Sequence, residues 1–294
     1  MKQMTRREVI GKGSAVALLG VSNLAWKEES MENSAEAPKF QVGLVTYNVA
    51  RDWDLPTLIK HCKEAHYGGV ELRTTHAHGV EIALGMAERK EVRQKFHDSG
   101  VRLWGLGSVC EFQSTDQSVV QTQIETCKRW CEVAKDVGAK GVKVRPNGLH
   151  QEVPIEKTLE QIGKALQACA QTAKDTGIEI WVEVHGNGTA HPPHIRRIME
   201  VCDRPEVGVC WNSNQQDIKD GSVKTYFDLL QPYIRSCHIN DLWGAYPYRE
   251  LFSLFQRSGY DGLTMCEVGT PVHPDSGGVF LKCYHGLWRE LQRN

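Results

Sequence analysis

The chain has 294 residues, 35 basic against 36 acidic side chains, a formal charge of −1 and 40% apolar residues. That balance leaves no counterion-release footprint for nucleic acid, and the composition is that of a folded globular chain without low-complexity tracts.

The first 37 residues stand apart. Thr5-Arg6-Arg7-Glu8-Val9-Ile10-Gly11-Lys12 sets two arginines ahead of an uncharged stretch, residues 13–25, too short to span a bilayer as an ordinary helix. It resembles a twin-arginine export signal, with Val9 and Ile10 where that pattern prefers Phe and Leu. Ala35-Glu36-Ala37 has the small-x-small form of a cleavage site. The expectation is an export signal and spacer over residues 1–37 and one catalytic domain over 38–294 in the periplasm or beyond. A plain basic N-terminal helix would instead leave the protein cytoplasmic. Beyond this segment no apolar run reaches spanning length, so no stable membrane anchor is expected.

Strand and helix patterns then alternate, which points to a parallel α/β architecture. An apolar strand over residues 40–46 leads to a helix that starts at the N-cap Asp54 and carries Leu55, Leu58, Ile59 and Cys62 on one face. Residues 69–72 form the second strand, 88–99 a helix closed by Gly100, and 101–106 the third strand. A long amphipathic helix over 117–137 runs into Gly138, and strand 141–144 follows. Helix 155–176 ends at Gly177 before strand 178–184, and helix 194–202 precedes strand 207–211. Helices 224–230, 248–256 and 279–291 interleave with strands 234–239 and 263–268. No Gly-rich phosphate turn follows the first strand, so eight strands and eight helices read as a single (β/α)8 TIM barrel, not an open sheet.

Glu183, Asn212, His238 and Glu267 each close or nearly close a short apolar strand, at intervals of 29, 26 and 29 residues. That interval is about one βα unit of a barrel of roughly 250 residues, whose active site is built from strand C-terminal ends. A carboxylate ending an apolar strand needs a cation or several donors when buried. Two of them in equivalent positions, with an imidazole between, suit a shared metal. The ten cysteines read as free thiols: Cys127 and Cys131 share a helical face, and Cys210, Cys237 and Cys266 lie inside strands as small hydrophobes.

Gly43-Leu44-Val45-Thr46-Tyr47, Gly69-Val70-Glu71-Leu72, Val182-Glu183-Val184-His185, His238-Ile239-Asn240-Asp241 and Cys266-Glu267-Val268-Gly269 occur in the order and spacing of one family. Through them the chain resembles the xylose isomerase-like barrel superfamily, in its sugar isomerase and epimerase branch that includes D-tagatose 3-epimerase. The resemblance implies a divalent ion held by Glu, Asp, His and Glu from strands five to eight, with both glutamates moving the proton. Glu183, His238 and Glu267 match three of those positions. The fourth departs from the pattern: Cys210-Trp211-Asn212-Ser213-Asn214-Gln215 offers an amide carbonyl from Asn212, or from Asn214. Two carboxylates and a divalent ion sum to zero where three would sum to −1, and one unit charge at about 4 Å is worth roughly 4 kcal/mol at an effective dielectric near 20. A more electrophilic metal at some expense of affinity is one consequence; loss of metal and chemistry is the other.

The implied activity is a sugar isomerase or epimerase, with Mn2+, Mg2+ or Co2+ and Zn2+ as a further option, working through an enediolate. Export favours a non-phosphorylated sugar or keto-sugar as the small-molecule partner. A lyase that eliminates the aglycone from a 3-keto-glycoside would use the same site, and a non-catalytic sugar-binding barrel is the third reading. The superfamily also holds endonuclease IV-like enzymes, but balanced charge and few strand-end histidines oppose that reading. Homo-oligomerisation is left open. Substrate contacts are expected from His185, Lys143, Arg145 and Glu71, and from aromatic faces such as Trp104 and Trp243; Trp211 and Tyr246 are weaker candidates, and packing competes for each. His76 and His78 form an H-x-H pair in the loop after the second strand, read as solvated or supporting, not as a second metal site.

Overall fold

The structure, a computed structural model, describes residues 39–293. The export signal and cleavage site expected in residues 1–37 lie outside the described residues. Eight strands appear in chain order: β1 (Gln41–Val45), β2 (Gly69–Arg73), β3 (Arg102–Gly107), β4 (Gly141–Val144), β5 (Glu179–Glu183), β6 (Val207–Asn212), β7 (Ile234–Ile239) and β8 (Leu263–Cys266). Between and after them run α1 (Leu55–Glu64), α2 (Met86–Ser99), α3 (Gln117–Val137), α4 (Ile155–Thr176), α5 (Pro192–Cys202), α6 (Lys224–Leu230), α7 (Tyr248–Ser258) and α8 (Pro274–Glu290). Each strand pairs in parallel with its sequence neighbours, and β1 pairs with β8, closing the (β/α)8 barrel.

Local chemistry sets most boundaries. Asp54 accepts the Thr57 N–H at 2.9 Å and starts α1. Gly138 ends α3 with φ 82°, where a left-handed residue closes the last carbonyls and a Cβ would be strained. Three helices begin earlier than the sequence pattern suggests, α2 at Met86 and two that open on proline, α5 at Pro192 and α8 at Pro274. Proline reads as a breaker, but at the first helical position its fixed φ fits and its missing N–H has no partner to lose.

Alternate strand residues face the barrel interior, so Glu179, Trp181 and Glu183 share one face of β5, and Gly208, Cys210 and Asn212 one face of β6. The lower interior is filled by Val45, Trp104, Trp181, Cys210, Leu263 and Met265. Trp181 fits because β3 and β4 carry glycine beside it: a Cβ on Gly105 or Gly141 would fall 2.7 or 2.4 Å from its ring. The barrel therefore has a solid apolar floor, with polar residues above it toward the strand C-termini.

Trp104 belongs to that floor, which corrects its expected role as a sugar-stacking aromatic. Pairing of β2 with β3 passes from Val70–Leu103 to Glu71–Gly105, so Trp104 is the extra residue of a bulge. Its ring stacks on Trp181 at 5.6 Å, and its Nε1 donates to Ser236 Oγ at 3.1 Å. A cavity of about 590 Å³ lined by Arg102, Trp104, Lys140 and Asp261 opens at this N-terminal end, away from the polar layer. All ten cysteines are free thiols, nine of them buried and Cys283 exposed. Among the described residues no helix is long and apolar enough to cross a membrane.

Candidate active site

Glu183 ends β5, His238 lies in β7 and Glu267 directly follows β8; one potential ligand atom from each lies within 4.8 Å of the others. His238 Nδ1 stands 3.4 Å from Glu183 Oε1 and 3.3 Å from Glu267 Oε2. This nitrogen is buried and makes no hydrogen bond. The opposite ring nitrogen, Nε2, lies 3.1 Å from Glu71 Oε2. A carboxylate behind an imidazole fixes the ring and its tautomer, and it turns the other nitrogen's lone pair toward the shared space. An orphaned nitrogen between two carboxylate oxygens is the environment a divalent cation would satisfy, and the mixed oxygen and nitrogen donors fit one.

That geometry corrects the expected role of Glu71. It is fully buried beneath His238, so it orients the imidazole instead of reaching substrate. Its Oε1 also lies where a Cβ on Gly107 would come within 2.8 Å, so glycine at that β3 position makes room for the carboxylate.

Asn212 is in the cluster, but the wrong end of its amide faces it for a ligand. Nδ2 donates to Glu183 Oε1 at 3.1 Å, while Oδ1 accepts from Asn240 Nδ2 at 3.4 Å. Turning the amide over would set two NH2 groups against each other. The alternative, Asn214, donates its Nδ2 to the Val184 carbonyl at 2.6 Å. The expected fourth ligand is thus replaced by a hydrogen-bond donor to one of the other ligand candidates.

Lys143, at the third position of β4, points its Nζ to Glu183 Oε2 at 2.8 Å, and both side chains are buried. Burial by itself would discharge each partner. Their contact reverses this: Glu183, with Glu71 and Glu267, holds the Lys143 ammonium above its ordinary value, and Lys143 with His238 holds Glu183 well below the usual carboxylate range. For His238 burial also opposes the charge, but Cys210, Glu267 and Glu71 outweigh it and raise the imidazole well above its ordinary value. The charge count therefore differs from the sequence estimate. With His238 neutral, as a metal ligand has to be, Glu71, Glu183 and Glu267 against Lys143 sum to −2, and a divalent ion would bring the cluster to zero.

Around the rim, His185 follows Glu183 by two residues, half-buried, with a buried Nδ1 that makes no hydrogen bond. Arg145 gives both Nε and Nη2 to Glu111 Oε1, at 2.9 and 2.8 Å, and Asn147 donates to the same oxygen at 2.7 Å. Its guanidinium is spent on this structural ion pair, which corrects its expected role as a substrate contact. Trp243, 60% exposed, stands on the loop after β7. Trp211 and Tyr246 are packing residues: Trp211 Nε1 donates to Tyr246 Oη at 3.3 Å, which donates to Asp217 Oδ2 at 3.2 Å. His78 donates through Nε2 to the Arg73 carbonyl at 2.8 Å and accepts the Val80 N–H on Nδ1 at 3.1 Å; His76 Nδ1 meets Thr46 Oγ1 at 3.2 Å. Burial lowers both imidazoles to about 4, helped at His76 by its neighbour His78. Sequence reasoning overlooked Asn240 and Glu111, which anchor Asn212 and Arg145. Asn240 was visible in the His238-Ile239-Asn240-Asp241 motif; Glu111 sits in a loop that carries no periodic signal.

Residues 59–279 match the family model for the xylose isomerase-like TIM barrel. The chain belongs to that family. Among solved structures, 3-keto-D-glucoside 4-epimerase YcjR from E. coli superposes with a TM-score of 0.69 at 15% identity, over 86% of this chain and 99% of that one. IolI, solved with a zinc atom, gives 0.70 at 15% over 86% and 96%. An L-ribulose 3-epimerase gives 0.69 at 14% over 85% and 92%. At such identities the likeness is one of fold. No curated protein sequence matches the chain significantly.

Proposed function

We propose that this xylose isomerase-like barrel is a divalent-metal-dependent isomerase or epimerase of a non-phosphorylated sugar or keto-sugar, with Glu183 and Glu267 as its proton-moving residues. The observation that carries the reading is the buried, unpartnered His238 Nδ1 between the two glutamates, at the barrel end where such folds keep their active sites. Glu183, His238 and Glu267 would hold the ion, of the Mn2+, Mg2+ or Co2+ kind with Zn2+ as a further option, and it would supply Lewis acidity that acidifies the C–H beside a sugar carbonyl.

The two glutamates are not equivalent. Glu183 is gripped by Lys143 and Asn212 and is 3% exposed, whereas Glu267 is 12% exposed and takes no hydrogen bond from either. Glu267 is therefore the better placed base to meet substrate from the mouth. The Lys143–Glu183 pair, with Nζ and Oε2 at 2.8 Å, is the second proton-handling unit. Return of the proton to the opposite face of the same carbon gives an epimer, and to the neighbouring carbon an isomer. The likeness to YcjR and the L-ribulose 3-epimerase, both sugar epimerases, supports this class. The twin-arginine-like segment supports an exported enzyme and a substrate without phosphate.

Elimination from a 3-keto-glycoside is the second reading, favoured by Lys143: a buried ammonium can protonate a departing oxygen. A structural relative described as a probable 3-DHS dehydratase from Bacillus anthracis, with a TM-score of 0.67 at 14% identity over 87% of this chain and all of that one, is named for an elimination. Mn2+-loaded protein incubated with a ketose and with a 3-keto-glucoside in deuterated water separates the two. Solvent deuterium in an intact sugar, abolished by Glu267→Gln, is the expected result, and aglycone release would move the assignment to the lyase. Sugar binding with neither reaction would leave a binding barrel and end the catalytic reading.

A further inference from the structure

Arg73 ends β2 on the rim of the same mouth, and among the described residues it makes no ion pair. The neighbouring cations are already matched, Lys143 by Glu183 and Arg145 by Glu111. The nearby acid of its own loop is also committed elsewhere: Glu81 accepts from Thr74 Oγ1 and from the Thr75 N–H, each at 2.5 Å. Arg73 spends only Nη1, on the Thr74 carbonyl at 2.7 Å and Thr75 Oγ1 at 3.3 Å. Nε and Nη2, the two-donor edge of the guanidinium, have no acceptor among the described residues. The group lies 5.8 Å from the ring centre of Tyr47, an exposed aromatic on the following loop of β1.

A half-buried guanidinium without an anion is an unbalanced charge. Burial and the Arg145 charge both press its pKa down, while Tyr47, Glu183 and Glu81 hold it up, so it stands within electrostatic reach of Glu183. A structural arginine in such a place ordinarily uses both edges, as Arg145 does on Glu111. The free edge matches the two oxygens of a carboxylate, in plane and bidentate. Charge count separates the anions: Lys143 and Arg145 are neutralised, leaving one unmatched positive charge, which suits a monoanionic carboxylate better than a dianionic phosphate.

We propose that Arg73 holds a carboxylate of the substrate, so that the substrate class is a sugar acid such as a ketouronate in place of a neutral ketose. The assignment rests on the proton-transfer reading above and deepens it. D-fructose, D-fructuronate and D-fructose 6-phosphate share one ketone and differ only at C6, so they are the probes. With Mn2+-loaded full-length protein in deuterated water, deuterium entry beside the ketone gives kcat/KM for each. D-fructuronate is expected to exceed D-fructose by roughly ten- to a hundred-fold, the range of one charge-assisted contact. In Arg73→Gln that ratio falls toward one, and Arg73→Lys, which keeps the charge and loses the fork, falls between. A ratio of two substrates within one preparation does not depend on how much of the variant has folded. Equal rates for fructose and fructuronate, a ratio unchanged in Arg73→Gln, or preference for the phosphate ester would overturn the assignment. Exchange with none of the three would instead sink the proton-transfer reading. Calorimetric binding of D-glucuronate against D-glucose in the same preparations then decides Arg73 alone: tighter glucuronate binding lost in Arg73→Gln supports it, and equal binding refutes it.

Discussion

Asn212→Asp tests the electrostatic design of the cluster most directly. In the parent, Nδ2 donates to Glu183 Oε1 at 3.1 Å. The variant removes a charge-assisted hydrogen bond, roughly 1.5–3 kcal/mol. It also sets a second carboxylate at that 3.1 Å separation, where like charges repel by about 5 kcal/mol at an effective dielectric near 20. Protonation of one carboxylate relieves part of this. Several kcal/mol in a domain of this size lowers the melting temperature by on the order of 10 °C in EDTA. With Mn2+ the sign reverses, because attraction of the new carboxylate to a divalent ion is about twice its repulsion from one carboxylate at equal distance. The expected result is a wider gap between metal-free and Mn2+-bound melting temperatures, tighter Mn2+ binding and slower deuterium exchange, since the extra charge weakens the ion as a Lewis acid. Thermal melts followed by circular dichroism, with a Mn2+ titration, read all but the last. An unchanged melt in EDTA would show that the amide does not donate to Glu183. An unchanged Mn2+ affinity would show that position 212 lies outside the field of any bound ion.

Lys143→Met breaks a buried ion pair and should destabilise the metal-free protein by about 3–5 kcal/mol. The same change removes a competitor for Glu183 Oε2, so Mn2+ should bind more tightly while exchange falls; weaker Mn2+ binding by calorimetry would mean that Lys143 supports the ion site. His78, 7% exposed, is held neutral by the Val80 N–H on its Nδ1, with its pKa lowered from 6.5 to about 4 by burial. The folded chain thus binds fewer protons than the unfolded one, so this contribution is complete above the unfolded value and is lost as pH falls through about 4. The loss amounts to about 3 kcal/mol. Urea unfolding at a series of pH values should show this decline in the parent and a shallower one in His78→Gln; a slope unchanged by the substitution would refute the assignment.

The Asp54 N-cap, the closing glycines Gly100, Gly138 and Gly177 and the barrel itself are legible because each depends on neighbours a few residues away or on a two-residue period. Trp104 lies three residues before the end of β3, at the depth of the floor, and the bulge, by shifting the two-residue period by one, is what turns its ring into the barrel. The starts of α5 and α8 were misread because proline ends one helix and begins another by the same fixed φ.

Sequence alone determined which residue types stand at the C-terminal ends of β5 to β8, since those positions are set by local periodicity and unit length. Tertiary structure decided what each one faces. Glu71 and His238 meet across 167 positions, and Lys143 and Glu183 across 40. Closure of the barrel turns inward residues of strands remote in sequence toward one interior, and only there does burial force each charge to find its partner.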